Sequence, residues 1–153
     1  PFGVEAQRML RLEKGHIIVS QDTDGLTLPF EAGMKWAVKM DKPFFIGQRS
    51  LKIIENKQRE RILVGFIFPK NYLSPKPKEC NLVVKNGEIK GRITSVGFSP
   101  TMGQLIGLAY TAPEDSDVGS TLSIKLDDGS LVEAKVVKIP FYDPKNLRQK
   151  ING

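Results

Sequence analysis

The chain has 153 residues, a formal net charge of +6 at pH 7, 40% hydrophobic residues and 26% charged residues. These fractions are typical of a globular domain and exclude an intrinsically disordered chain. No apolar run approaches the ~18 residues of a membrane span, and no basic and apolar leader is visible, so a cytoplasmic protein with no membrane partner is expected. One cysteine and one histidine, Cys80 and His16, exclude an internal disulfide and a multi-cysteine metal site.

The first 58 residues are predicted to mix helices and strands. Residues 3–15 form a helix that ends at a glycine cap. The β-branched run 16–19 predicts a short buried strand, and residues 36–40 predict a second strand. A helical turn at 29–33 lies between them, and a second helix is expected at 47–59, with a Glu55–Arg59 pair on its outer face.

From residue 61 onward the hydrophobic pattern alternates with a period of two, which indicates β-strands. A loop rich in proline and lysine is expected at 69–78, and two hairpins turn at Asn86-Gly87 and at Asp128-Gly129. The six predicted strands cover residues 62–68, 82–84, 89–96, 104–111, 121–126 and 131–139. Six strands without an intervening helix predict an antiparallel barrel or sandwich. The fold class is therefore α+β, with domains 1–58 and 59–153.

No motif in the sequence marks an autonomous active site. Neither a dinucleotide fingerprint nor a phosphate-binding loop occurs. The carboxylate pairs at 22/24 and 127/128 fall in predicted turns, where aspartate bonds its own backbone. We therefore expect no catalytic residue and no metal site in this chain. Two interpretations remain open for each of two other residues. Arg11 either stabilises the C-terminus of its helix or contacts a ligand, and Trp36 either packs in the core or provides a flat surface for a ligand.

Several short motifs carry a family resemblance through their order and spacing. They are LRLEKG at 10–15, QDTD at 21–24, PFEAGMKW at 29–36, FIG at 45–47, GRITS at 91–95, SPTMG at 99–103, IGLAY at 106–110 and PFYDP at 140–144. Together they resemble the C-terminal part of the glycine-cleavage T-protein (aminomethyltransferase) family over nearly the whole chain. Residues 13–19 and 42–51 are most similar to the alpha subunit of heterotetrameric sarcosine oxidase.

This resemblance implies tetrahydrofolate as the cofactor, held between three lobes and receiving a one-carbon unit from amine demethylation. The chain would supply the end of the middle, folate-binding lobe at 1–58 and the C-terminal barrel lobe at 59–153. The family's catalytic aspartate would precede Pro1, and flavin and NAD would lie in other parts of the complex. Partners would be the upstream lobes and the other sarcosine oxidase subunits. We expect a fragment of a larger oxidoreductase that is inactive alone.

The resemblance also implies cofactor-binding residues. Gln7 stands where the family often has a folate-contacting arginine, and His16 where some members have a folate-contacting tyrosine. Arg148 falls near a C-terminal position that often contacts a folate carboxylate. With Arg11 and Trp36 from the motifs above, these five are the candidate cofactor-binding residues.

Three other hypotheses remain open. The chain could be the C-terminal part of a stand-alone aminomethyltransferase, which the preceding sequence would distinguish. Residues 59–153 could be a structural lobe that only packs against sister subunits. A basic barrel could also bind nucleic acid, although the 23 lysines and arginines are interspersed with 17 acidic residues and no base-stacking aromatic strand pair is visible. We expect no nucleic-acid partner.

Overall fold

A computed structural model describes residues 1–73 and 75–150 of the chain. The α-helices are α1 (Val4–Glu13) and α2 (Gln48–Glu55), and short 3₁₀ helices cover Lys35–Ala37, Pro113–Asp115 and Leu147–Gln149. The strands are β1 (Ile62–Ile67), β2 (Leu82–Lys85), β3 (Glu88–Ser99), β4 (Gln104–Thr111), β5 (Thr121–Lys125) and β6 (Leu131–Val137). The last three positions of the predicted second domain lie outside these described residues.

The six strands close into a barrel in the order β1-β4-β3-β2-β5-β6, with every neighbouring pair antiparallel. The β2–β3 hairpin turns at Asn86 and Gly87, which both have positive φ, as a two-residue turn of this kind requires. Closure leaves no free sheet edge in the barrel. The predicted antiparallel barrel and both predicted hairpins are confirmed.

Strand β4 is buried along its whole length because both of its faces are covered. Leu105 and Ala109 face the barrel interior, where they join Phe66, Ile93 and other apolar side chains. The alternate residues Ile106, Leu108 and Tyr110 form a second, outer cluster with Leu12 of α1. The period of two therefore continues in β4, but the outer positions face a helix rather than water.

The outer cluster attaches both ends of the chain to the same face of the barrel. Helix α1 contributes Leu12, which is 3% exposed, and the C-terminal segment contributes Ile139 and Phe141. A side chain at Gly65 of β1 would collide with Ile139 and approach Phe141 to 3.0 Å. A glycine at this position is what lets the C-terminal segment lie against β1.

Two predicted strands are absent, and the prediction of strands at 16–19 and 36–40 was wrong. Residues 36–40 begin inside a 3₁₀ helix, and the closed barrel offers no edge on which they could pair. In the segment 16–19, side chains replace a strand partner: Arg11 donates to the carbonyl of His16, and Asp22 accepts from the N–H of Ile18. Local side-chain bonds of this kind compete with strand pairing.

Helix α2 forms but is shorter than the predicted 47–59. It ends at Glu55, beyond which the side-chain amide of Asn56 donates to the carbonyl of Lys52. Glu55 forms its ion pair with Lys35, at 2.6 Å, rather than the predicted pair with Arg59. The predicted loop is confirmed, since residues 69–73 and 75–78 contain no helix or strand.

Candidate functional site

The end of α1 sets the direction in which the chain leaves toward His16. Gly15 has a φ of 64°, and its N–H donates to the carbonyl of Leu12 at 2.8 Å. The N–H of His16 donates to the carbonyl of Arg11 at 2.9 Å. This pair of bonds is a Schellman motif, which satisfies the last carbonyls of a helix. Any side chain at position 15 would also press on Ile139. His16 is exposed just beyond this fixed point.

The guanidinium of Arg11 is turned inward rather than toward solvent. One terminal nitrogen donates to Asp22 at 2.6 Å and to the carbonyl of His16 at 3.1 Å, and the other donates to Ser95 of β3 at 2.8 Å. Asp22 is fully buried and also accepts from the hydroxyl of Ser95, while its carbonyl accepts from Tyr110. Arg11, Asp22 and Ser95, called here the Arg11 network, bind the loop that follows α1 to the barrel.

A second charged cluster fastens the following loop to β1. Arg61 donates to Glu31 at 3.2 Å and to both carboxylate oxygens of Asp24, and it lies 4.8 Å above the ring of Tyr110. Hydrogen bonds from Thr27 and Arg61 hold the pKa of Asp24 well below its usual value. Burial raises the pKa of Tyr110. The loop that leads to Trp36 is therefore fixed by half-buried and exposed polar contacts as well as by apolar packing.

The C-terminal segment returns to the end of α1. The N–H of Tyr142 donates to the carbonyl of Glu13 at 3.0 Å, and the buried carboxylate of Glu13 accepts from the hydroxyl of Ser99. Arg148 lies in the 3₁₀ helix that follows, and its side chain is exposed. The segment that carries Arg148 is thus docked beside the residues that lead to His16.

Trp36 is the only tryptophan and is 74% exposed on the 3₁₀ helix Lys35–Ala37. A shallow depression of about 250 Å³ separates this helix from the post-α1 loop, with Ala37 on one wall and Ile17 on the other. An exposed indole is an unusual surface residue, because burying its apolar ring stabilises most proteins. Its position leaves the ring available to a flat ligand or to another lobe.

The structure thus places the predicted residues on segments that neighbour the end of α1 or the loop that follows it, without joining their side chains. Gln7 is exposed one helical turn before Arg11, on the same face of α1. Within 1–73 and 75–150, no hydrogen bond or ion pair links any two of the five candidate side chains to each other. Four of the five candidate side chains are exposed, and the fifth, Arg11, is largely buried because its guanidinium is bound in the Arg11 network.

These side chains suit a cofactor with a flat heterocycle and a carboxylate tail. An indole and an imidazole offer flat faces, the amide of Gln7 can both donate and accept, and a guanidinium binds carboxylates through paired N–H groups. In the described part of the chain, Arg148 has no carboxylate within ion-pair distance of its guanidinium. The residues present therefore fit such a cofactor.

Larger cavities of the described chain lie elsewhere. One of about 530 Å³ lies between residues 58–60 and the 3₁₀ helix Pro113–Asp115, one of about 470 Å³ lies between the β2–β3 and β5–β6 turns, and one of about 460 Å³ lies between α2 and the loop at Asp24. No cluster of metal-ligating side chains occurs in residues 1–73 and 75–150. No helix among them is long and apolar enough to cross a membrane.

Sequence reasoning missed the buried role of Asp22, which was interpreted as a turn residue. It also missed Lys14 and Asp143, whose ion pair joins residues 129 positions apart. Arg11 and Asp22 both lie in the motifs that carried the resemblance, and this shared membership was the available signal. For Lys14 and Asp143 no local pattern exists, because the contact depends on the return of the chain to α1.

Comparison with known proteins agrees with this architecture. The glycine cleavage T-protein C-terminal barrel domain family matches residues 61–143, and the GCVT N-terminal domain family matches residues 1–42. An aminomethyltransferase of Thermotoga petrophila is 42% identical over 142 residues, which are 93% of this chain and 37% of that protein. The sarcosine oxidase subunit alpha of Corynebacterium sp. strain U-96 is 32% identical over 156 residues, covering 97% of this chain and 16% of that subunit.

A solved structure supports the same assignment. The glycine cleavage system aminomethyltransferase T from Bartonella henselae superposes with a TM-score of 0.80 at 26% identity, covering 91% of this chain and 38% of that one. The chain thus spans less than two fifths of the aminomethyltransferases that it matches. Because the barrel-domain family alone covers more than half of its residues, this chain belongs to the glycine cleavage T-protein (aminomethyltransferase) family.

Proposed function

We propose that this chain forms one wall of a tetrahydrofolate site in a larger protein that transfers a one-carbon unit from an amine. The observation that carries the proposal is the docking of the C-terminal segment against the end of α1, since it sets Arg148 and His16 on two neighbouring segments. The family assignment and the relatives' aminomethyltransferase names support the same chemistry. The two matched families also support the proposed division into domains 1–58 and 59–153.

Each candidate residue has a distinct task in this proposal. The indole of Trp36 provides a flat apolar face for the pterin ring, and His16 and Gln7 provide polar edges beside it. The guanidinium of Arg148 binds the glutamate carboxylate through paired N–H groups. Arg11 contributes by fixing the loop that holds His16, through its bonds to Asp22 and Ser95.

Tetrahydrofolate, when bound, supplies the nitrogen atoms that receive the one-carbon unit. The chain's own residues bind and orient it, and we assign none of them a catalytic role. Acid–base chemistry needs a positioned titratable group at the reacting nitrogen, and the candidate residues of this chain are placed for binding rather than for proton transfer. The isolated chain should therefore catalyse nothing, and sarcosine turnover above a heat-killed control would contradict this.

We consider two proposals for the larger protein, and a specific observation favours each. A stand-alone aminomethyltransferase is favoured by the higher identity, 42% against 32%. A sarcosine oxidase alpha subunit is favoured by coverage, since that alignment includes 97% of this chain. In the second version, flavin and NAD are held outside this chain and its partners are the other subunits of the oxidase. Flavin absorbance and sarcosine oxidation by the full-length protein purified together with its native partner subunits would select it, and a full-length protein that purifies without such subunits and transfers the one-carbon unit alone would select the first.

The proposal can be tested on the chain itself by NMR. Titration of ¹⁵N-labelled protein with 5-formyltetrahydrofolate should shift the indole N–H of Trp36 and the amides near His16 and Arg148. The β2–β3 turn at Asn86 should not shift and serves as the internal reference. The affinity should be weaker than micromolar, because one wall encloses only part of a ligand. Shifts confined to the barrel hairpins, or none at millimolar ligand, would reject the proposal.

Two smaller probes separate the roles of the two ends of the ligand. p-Aminobenzoyl-glutamate keeps the carboxylate tail and lacks the pterin ring, so its largest shifts should be in the region of Arg148. A free pterin should shift Trp36 and His16 and leave Arg148 unchanged. The matched control variant is Lys145→Ala, since it removes one positive charge from the same segment as Arg148→Ala without touching the proposed contact.

A further inference from the structure

The ammonium of Lys14 lies at the junction between α1 and the C-terminal segment. It donates to the carbonyl of Asp143 and to the side-chain oxygen of Asn146, each at 2.7 Å, and lies 3.6 Å from the carboxylate of Asp143. Its side chain is 17% exposed, which is low for a lysine. The ammonium therefore makes two hydrogen bonds and one ion pair, all with this one segment.

The residues that receive Lys14 also build the turn that presents Arg148. The carboxylate of Asp143 accepts from the N–H groups of Leu147, at 2.8 Å, and Arg148, at 3.3 Å. Asp143 and Asn146 both have left-handed backbone conformations, with φ of 47° and 55°. Aspartate and asparagine adopt this conformation more readily than other non-glycine residues, and here the contacts with Lys14, Leu147 and Arg148 hold them in it.

The charge of Lys14 also affects the ionisation and the pairing of the Asp143 carboxylate. Burial alone would raise the pKa of Asp143, but the N–H groups of Leu147 and Arg148 and the nearby Lys14 ammonium keep it below its usual value. The carboxylate is therefore ionised at neutral pH and paired with a cation. Without Lys14 it would be an unpaired anion within reach of the Arg148 guanidinium, which is five residues away on the same turn.

We propose that Lys14 is a positioning residue for Arg148: it holds the turn 143–148 in shape and neutralises Asp143, so that the guanidinium stays available to a ligand carboxylate. This inference rests on the proposed function above. Its effect is local, because other contacts dock the preceding residues. The N–H of Tyr142 bonds to the carbonyl of Glu13, and Ile139 and Phe141 pack on the outer cluster.

The structural half of the proposal is tested without any ligand, by limited trypsin digestion. Lys14→Met keeps the alkyl stem and removes the ammonium, so the turn should open more often and cleavage after Lys145 and Arg148 should accelerate about tenfold. Lys138→Met is the matched control, an exposed lysine that precedes the docked residues, and should leave these cleavage rates unchanged. Equal rates in wild type and Lys14→Met would overturn the proposal.

The functional half is tested by the affinity for p-aminobenzoyl-glutamate, measured by NMR. Lys14→Met and Arg148→Ala should each weaken binding about tenfold, and the double variant should be no weaker than either alone, since both remove the same interaction. Lys14→Arg should restore part of the affinity, because it restores the charge. Additive losses in the double variant would overturn the positioning role.

The outcomes separate this inference from the function on which it rests. Weaker binding by Arg148→Ala with normal binding by Lys14→Met overturns the positioning role and leaves the folate proposal in place. Normal binding by Arg148→Ala overturns the positioning role and the assignment of Arg148 together. If Lys14→Met is unstable, Asn146→Ala removes one acceptor without altering α1, and it should change cleavage and affinity in the same direction by a smaller factor.

Discussion

Replacement of Asp22 by alanine is the sharpest test of how the loop that follows α1 is held to the barrel. The fully buried carboxylate accepts from Arg11, Ser95 and the N–H of Ile18, so the substitution leaves three donors without their acceptor. The side chain of Arg11 is only 12% exposed, and its Nε already has no partner within the described residues. The guanidinium would become an uncompensated, largely buried charge.

Removing one partner of a buried ion pair destabilises a protein by about 3–5 kcal/mol. For a chain of this size that corresponds to a melting temperature lower by about 6–20 °C. Urea unfolding and calorimetry measure the loss, and hydrogen exchange locates it. Protection should fall in residues 16–22 more than in β5 and β6, because the Arg11 network joins the post-α1 loop to β3.

The matched control is Glu88→Gln, since the ion pair of Glu88 with Lys90 is largely exposed, with 72% of the Glu88 side chain accessible. Exposed pairs contribute little, so this variant should unfold like the wild type. The shape-preserving Asp22→Asn should retain only a small part of the lost stability, because it restores no charge. A loss below about 1 kcal/mol for Asp22→Ala would refute the reasoning that the network is a buried, interdependent set.

Three further predictions concern a glycine in the barrel, the pH dependence of stability and the order in which residues 1–58 and the barrel unfold. Gly107→Ala should prevent stable folding as judged by circular dichroism, since the new methyl group would collide with the ring of Phe66 and with the carbonyl of Ser95. Asp24 has a folded-state pKa below its usual 3.8, so its contribution to stability is present above about pH 4 and is lost as the pH falls. Asp24→Asn should therefore flatten the decline in melting temperature between about pH 5 and pH 2. On heating, hydrogen exchange should show residues 1–58 opening before the barrel, because no residue of α2 is buried and α1 buries only two.

The barrel could be predicted from the sequence because its signals are local. Alternation of apolar residues and the turn pairs Asn86-Gly87 and Asp128-Gly129 define each hairpin within a few residues. Closure then follows from the need to cover strand edges. Full burial of β4 is not a local property, since it depends on α1 and the C-terminal segment covering its outer face.

The segment 16–19 shows why the first 58 residues were harder to predict. Its β-branched composition favours a strand, but a strand needs a partner, and Arg11 and Asp22 satisfy the backbone first. Trp36 illustrates the same limit, since the sequence allowed a core residue and the structure leaves the ring 74% exposed. Intrinsic preference for a strand is overridden where side chains a few residues away supply the hydrogen bonds that a strand partner would otherwise make.

The candidate site could be predicted only as a set of residues. The resemblance indicated Gln7, His16 and Arg148, but their proximity depends on the docking of the C-terminal segment against the end of α1. The bond between Tyr142 and Glu13 and the contacts of Lys14 connect positions about 130 residues apart. No periodicity or spacing rule reports a contact over that distance.

The proposed function requires that residues of this chain contact the carboxylate and the pterin ring of a bound folate. Its most direct test is the dissociation constant of 5-formyltetrahydrofolate for the full-length protein, measured by calorimetry for wild type, His16→Ala, Arg148→Ala and the control Lys145→Ala. We predict about five- to thirty-fold weaker binding for the first two variants, equivalent to 1–2 kcal/mol each, and no change for the control. Equal dissociation constants in all four proteins would contradict the claim and leave these residues with a purely structural role.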